Sequence, residues 1–206
     1  MKKFIIALTT ILLVACTVKM STTINSSDIL SNNNKALMVD LQVYVMSCSE
    51  DNIENIKREF EKRKITARYN SCGSKNGFDD YASFSLPIAL VTNPEAPVPV
   101  ENGIYFFVSN DTLSLRTSKN FASMLDATSD FGSEKVNISS ISFSLVNDGG
   151  GDFKITPTIA FVDEKPVFMT EINVPVFSKV LIQLPDVANK LLEQSDAAFP
   201  IFTFKR

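Results

Sequence analysis

Apolar Leu37, Val39, Leu41, Val43 and Val45 alternate with Met38, Asp40, Gln42, Tyr44 and Met46, which predicts a half-buried strand. After Cys48 the period changes. Ser49 is a good helix N-cap, Glu50 and Asp51 suit the first turn, and Ile53, Ile56 and Phe60 fall on one helical face. Glu54 with Arg58 and Glu59 with Arg63 form i,i+4 pairs on the wet face. Ile65, Ala67 and Tyr69 then alternate with Thr66, Arg68 and Asn70 up to Cys72. A β-helix-β unit is therefore expected over residues 37–72.

Period-two patterning dominates the rest. Phe84, Leu86, Ile88 and Leu90 predict a strand, and residues 92–102, with Pro94, Pro97 and Pro99, an irregular loop. Residues 104–108 and 112–116 flank Asn110-Asp111 as a tight hairpin. Phe121, Met124 and Leu125 suggest a short helix. Over residues 136–146 the apolar phase shifts at Ser139-Ser140, which predicts a bulge. A turn at residues 147–152 leads to alternating Phe153, Ile155, Ile159 and Phe161. Asp163-Glu164-Lys165-Pro166 turns the chain into residues 167–176, and a strand at 180–184 follows. Pro185 opens a helix carrying Val187, Leu191 and Leu192, and residues 199–204 read as a last strand. The expected class is α+β, mainly antiparallel sheet with the β-helix-β unit and two or three short helices. Residues 36–206 form its body, as one domain or as two subdomains, 36–130 and 131–206.

The N-terminus adds a location. Lys2 and Lys3 precede an apolar run over residues 4–14, and Leu13-Val14-Ala15-Cys16 follows. This is the layout of a secretory signal peptide, and the run falls short of the roughly 20 residues that span a bilayer. Residues 1–15 are thus expected to be removed, and the resemblance of Leu-Val-Ala-Cys16 to the lipobox of bacterial lipoproteins implies Cys16 as the lipidated first residue. Residues 17–35, rich in Ser, Thr and Asn, read as a flexible tether whose Ser26-Ser27-Asp28 caps one helical turn. Lipidation of Cys16 leaves Cys48 and Cys72 as a pair in an oxidising compartment. A bridge closing a loop of about 25 residues contributes ~3 to 3.5 kcal/mol by chain entropy.

Charge and chemistry narrow the function. Loss of Lys2 and Lys3 takes the formal charge from −3 to −5, and no basic patch offers the footprint that nucleic acid requires. The absence of histidine removes the commonest general base and the usual zinc ligand. No Gly-x-Ser-x-Gly elbow occurs in a convincing context, so no catalytic residues, metal or cofactor are assigned. Asp148-Gly-Gly-Gly-Asp152 has too few carboxylates for a calcium loop and reads as a hairpin end. Phe78, Asp79, Asp80 and Tyr81, just beyond Cys72, form the candidate partner-binding patch.

Leu-Val-Ala-Cys16 resembles the lipobox of bacterial lipoproteins. With "TTINSSDILSNNNK", "LQVYVMSC", "ARYNSC" and "FDDYASFSLPI", the first 90 residues or so resemble a group of lipoproteins of unknown function from enteric bacteria and their mobile elements. The resemblance implies a diacylglycerol on the Cys16 sulfur and a membrane anchor in the cell envelope. Because Thr17 stands where aspartate favours the inner membrane, it further implies the outer one. The expected function is a non-catalytic interaction module that engages an envelope protein. The alternatives are a pilotin-like assembly accessory and, less favoured, a cell-wall or glycan hydrolase.

Overall fold

The computed structural model describes residues 17–45, 47–74, 80–121 and 137–205. They build one sheet of thirteen strands: β1 (Thr17–Asn25), β2 (Lys35–Val45), β3 (Arg68–Ser74), β4 (Asp80–Val91), β5 (Ile104–Ser109), β6 (Thr112–Thr117), β7 (Asn137–Val146), β8 (Phe153–Pro157), β9 (Ala160–Val162), β10 (Lys165–Val167), β11 (Ile172–Val174), β12 (Lys179–Gln183) and β13 (Ala198–Lys205). Between them lie the short helices α1 (Ser26–Leu30), α2 (Glu50–Lys62) and α3 (Asp186–Leu192).

The protein is therefore mostly β, which corrects the α+β expectation. A sheet with one apolar face must cover it, and here the sheet curls over most of its own face, with α2 and α3 covering only parts of it. Phe84, Phe106, Phe143 and Phe202 are buried from four different strands. Phe143 touches both Phe106 and Phe202, with ring centroids 5.5 and 6.4 Å away. Of α2, Ile53 is buried in the core and the partly buried Ile56 and Phe60 pack against it, Phe60 edge-on to Phe84 at 5.0 Å.

Curling brings the two ends of the sheet to one strand. The path runs β12-β7-β1-β2-β4-β5-β6-β13. Both end strands then pair with the hairpin that begins at Phe153, β13 along β8 and β12 along β9. The return strands β10 and β11 pair with β9 and β8 in one hairpin register, Val162 with Lys165 and Phe153 with Val174. Asp163 and Glu164 take left-handed φ of 46° and 67° at its tip, the type I′ geometry that suits a two-residue hairpin. Helix α3 packs against β7, β13 and β6, with Ala188 and Leu192 buried.

Residues 17–25, read as tether, are a strand inside the sheet. β1 pairs antiparallel with β2 and parallel with β7, and Val18, Met20 and Ile24 are buried. Their polar neighbours match the wet face of a strand as well as they match a linker, and the pairing that decides between the two comes from residues more than 100 positions away. The bulge expected near Ser139 is present. Val18 pairs with Ile138 and Lys19 with Ser140, and the skipped Ser139 donates its hydroxyl to the Val18 carbonyl. β1 joins the stretch 36–130 to 131–206, as does the β6–β13 pair. Asn110 and Asp111 turn β5 into β6 with left-handed φ of 49° and 55°. Of the helix expected around Phe121, only Phe121 is among the described residues.

Glu54 binds Lys57 at 2.6 Å rather than the expected Arg58, while Glu59 reaches both Lys62 and Arg63. The Cys48–Cys72 bridge is present and joins the chain beyond β2 to β3, where Val45 and Ser74 both lie opposite Asp80. Asp148, set aside as a calcium ligand, instead caps α1. Its carboxylate accepts from the Ser26 hydroxyl and from the backbone N–H and hydroxyl of Ser27. Partial burial works against the charge, but these hydrogen bonds outweigh it and lower the Asp148 pKa below the usual aspartate value.

Two stability predictions follow from these contacts. Replacing Cys48 and Cys72 by serine is expected to lower unfolding stability by about 3 kcal/mol in urea titrations; a loss under 1 kcal/mol would show that the bridge constrains little. Asp148→Asn is expected to lose about 1 kcal/mol at pH 7, the size of a helix cap. A depressed carboxyl pKa stabilises the fold above the unfolded value and loses that effect as pH falls through the folded one. The gap between wild type and Asp148→Asn should therefore close as pH falls through and below the usual aspartate range, as read by thermal melts across pH; a pH-independent gap would contradict the capping role.

Candidate functional site

β4 has a different partner at each end of one edge. β2 covers its other edge throughout, but β3 pairs antiparallel with residues 80–85 and β5 parallel with residues 89–91. The sheet forks between them. Pro87 occupies the gap and has no N–H to leave unpaired there. Asn102, 4% exposed, fills what remains. Its Oδ1 accepts from the Thr66 N–H at 3.0 Å, and its Nδ2 donates to the Thr66 and Pro87 carbonyls.

The connections into both branches end at this fork, and a cleft of about 910 Å³ opens among them. Its walls are the C-terminal turn of α2, the proline loop 92–103, the outward side of β5 and the turn after β6. That volume lies at the upper end of the range for small-ligand sites. The loop is held by Asn34. Its Oδ1 accepts from the N–H groups of Thr92 and Asn93, and its Nδ2 donates to the carbonyls of Asn93, Ala96 and Pro97. A single side chain thus satisfies backbone groups that an irregular loop would otherwise leave to water.

Val91, Pro94, Val98, Val100, Tyr105 and Phe107 supply the apolar lining. Arg116 lies over the outer side of Phe107, its guanidinium carbon 4.0 Å from the ring centroid. Lys62, Arg63, Lys64 and Lys119 bring four positive charges against the two negative charges of Glu59 and Glu101. Glu59 bridges Lys62 at 2.8 Å and Arg63 at 3.4 Å. The Arg63 side chain is 11% exposed, and its buried Nε has no acceptor among the described residues. Lys64 and Lys119 form no ion pair among those residues. In a protein of net negative charge, this cleft is a local cationic site.

Helix α2 ends in a Schellman motif. The N–H of Ile65 bonds the Phe60 carbonyl at 2.8 Å, and that of Lys64 bonds the Glu61 carbonyl at 3.0 Å. The left-handed position of this motif favours glycine, yet Lys64 occupies it with φ of 56°. A lysine there carries a backbone cost that glycine would avoid.

The residues singled out from sequence lie elsewhere. Cys16, Phe78 and Asp79 fall outside the described residues. Asp80 and Tyr81 begin β4, far along the strand from the fork. Tyr81 meets Tyr44 edge-on at 5.8 Å, and Lys19 sits over its ring at 4.7 Å and donates to its hydroxyl. These contacts occupy Tyr81 on the outer side of the sheet, and no cleft residue approaches it. Sequence reasoning missed the cleft because Lys119 and Tyr105 reach Arg63 only through the fork. Its local signals were the run Lys62-Arg63-Lys64 and a proline-rich loop beside an apolar strand. Among the described residues no three acidic or cysteine side chains cluster to hold a metal ion, and the cleft's donor set suits binding of negative charge.

Residues 18–206 match the family described as a domain of unknown function, DUF7424. The chain belongs to that family. The match begins one residue into β1 and runs to the last residue, so the fork and its cleft lie wholly within the family's domain. Comparisons with curated proteins and with solved structures give no match.

Lys64→Gly is expected to raise unfolding stability by about 0.5–1 kcal/mol, because glycine takes the left-handed position without strain. Chemical denaturation at unchanged m-value measures this, and a destabilised Lys64→Gly would contradict the strain.

Proposed function

We propose that this protein is a lipid-anchored module of the bacterial cell envelope that works by binding a partner in the cleft at the β4 fork, without catalysis. The supporting observation is the placement of the two ends. The chain enters the sheet at Thr17, the residue after the lipobox cysteine, and β1 runs nine residues from there. Val18 pairs with Val43, which pairs with Ala82, so this end of the sheet carries the start of β4 and the Cys48–Cys72 bridge. The cleft lies at the other end, level with Lys35 and Leu90.

At about 3.3 Å per residue, the two ends are separated by ~25–30 Å of strand. An acyl anchor on Cys16 would hold the first end at the membrane and turn the cleft away from it. Because β1 begins at once, the spacer is the rigid sheet itself rather than a flexible linker. Thr17 after Cys16 supports an outer-membrane anchor on this reading, and the partner is an envelope protein within reach of a fixed arm.

Palmitate labelling in cells is expected to disappear in Cys16→Ala, with the protein leaving the membrane fraction; persistent labelling would overturn the anchor. A photo-crosslinking residue at Val98, on the cleft wall, should trap an envelope protein that the same residue at Ser71, at the anchored end, does not. Trapping only from Ser71 would move the binding surface to the other end.

A further inference from the structure

Resting on the binding reading above, we propose that the cleft takes an acidic peptide segment: an extended stretch of a partner protein with spaced carboxylates and one apolar side chain. Three observations carry this. First, the cleft gathers a positive excess in a chain whose net charge is negative, so its ligand is selected by charge. Second, the cations stand on two separate elements. Arg63 and Lys64 end α2, whereas Lys119 follows β6, and apolar wall from loop 92–103 and β5 shares the cleft with them. A compact anion engages one such position. A chain with carboxylates several residues apart engages both and lays a side chain on Tyr105 or Phe107. Third, Lys64, on the lip of the cleft, sits where the backbone prefers glycine. A lysine held in a strained position on that lip is a feature that a binding role accounts for and packing does not.

Carboxylates on guanidinium and ammonium groups form charge-assisted hydrogen bonds, which weaken as salt screens their exposed part. The test uses the full-length protein in detergent and fluorescence anisotropy of two labelled peptides, Gly-Glu-Glu-Phe-Gly-Glu-Gly and the same sequence with lysine for each glutamate. The acidic peptide is expected to bind, with affinity falling as ionic strength rises, and the lysine peptide is not. Lys64→Gly and Lys119→Gln should each weaken binding about 5-fold, roughly one exposed charge contact. Lys64→Gly keeps the measurement clear of folding defects, because it is the variant expected to melt higher. Lys179→Gln, on β12 outside the cleft, should leave affinity unchanged.

Equal binding of both peptides, or an unchanged affinity in Lys64→Gly and Lys119→Gln, would overturn the proposal. So would full displacement by inorganic phosphate at millimolar concentration with no contribution from the phenylalanine, which would make the site one for a free anion. A partner trapped from Val98 that carries no acidic stretch would overturn the ligand class while leaving the binding reading in place.

Discussion

One sheet that must bury its own apolar face sets the terms for the rest of the structure. Burial of apolar area is the dominant favourable contribution to folding, and α1, α2 and α3 are too short to cover thirteen strands. The sheet therefore curls until β12 and β13 meet the same hairpin, and the phenylalanines of β4, β5, β7 and β13 fill the space inside. Closure of this kind also manages sheet edges, since an end strand that pairs with the hairpin no longer offers a bare row of backbone groups. Curvature has a local consequence as well. A twelve-residue strand such as β4 is matched along one edge by β2 but not by any single partner along the other, and the mismatch at Pro87 becomes the fork.

The legible parts of this architecture were those decided by neighbours in sequence. β2 shows in its alternation, the β5–β6 turn in Asn110-Asp111, the hairpin tip in Asp163-Glu164 and the bulge in the phase shift at Ser139. Ser49 reads as an N-cap and accepts from the Asn52 N–H as expected. The cysteine count led to the Cys48–Cys72 pair. What failed depends on distant partners. β1 looks like a linker because Thr, Ser and Asn fill its wet face, and β7 and β2 alone make it a strand. The fold class failed for a related reason. A helix between two strands suggested a layered α+β body, yet α2 is a single helix against one part of the apolar face, near Phe84, of a sheet that otherwise closes over itself.

The candidate site was less legible than the fold. Tyr81 stood out in sequence as an aromatic beside acidic residues, and in space it is the centre of a small lysine–tyrosine cluster on the sheet surface. The residues that do converge, Arg63, Lys64, Asn102, Tyr105 and Lys119, are spread over more than 50 positions. Their meeting depends on β3 and β5 leaving β4 in opposite senses, antiparallel and parallel, which no local pattern encodes.

The two ends of the molecule are stiffened by different means, and the difference bears on function. The end where the chain enters has a covalent bridge, which limits the unfolded chain without specifying fine geometry. The cleft end relies on Asn34 and Asn102, each using both halves of its amide on backbone groups. Networks of this kind cost stability when incomplete and define position when complete. Asparagine pins therefore suit a loop that has to present Val98 and Val100 at fixed positions beside a cationic lip. An apolar plug would hold the same loop with less positional demand, and it would bury the backbone groups of residues 92–97 without partners. The strained Lys64, set against backbone pairing of this kind next to it, is what separates the lip of the cleft from the framework that carries it.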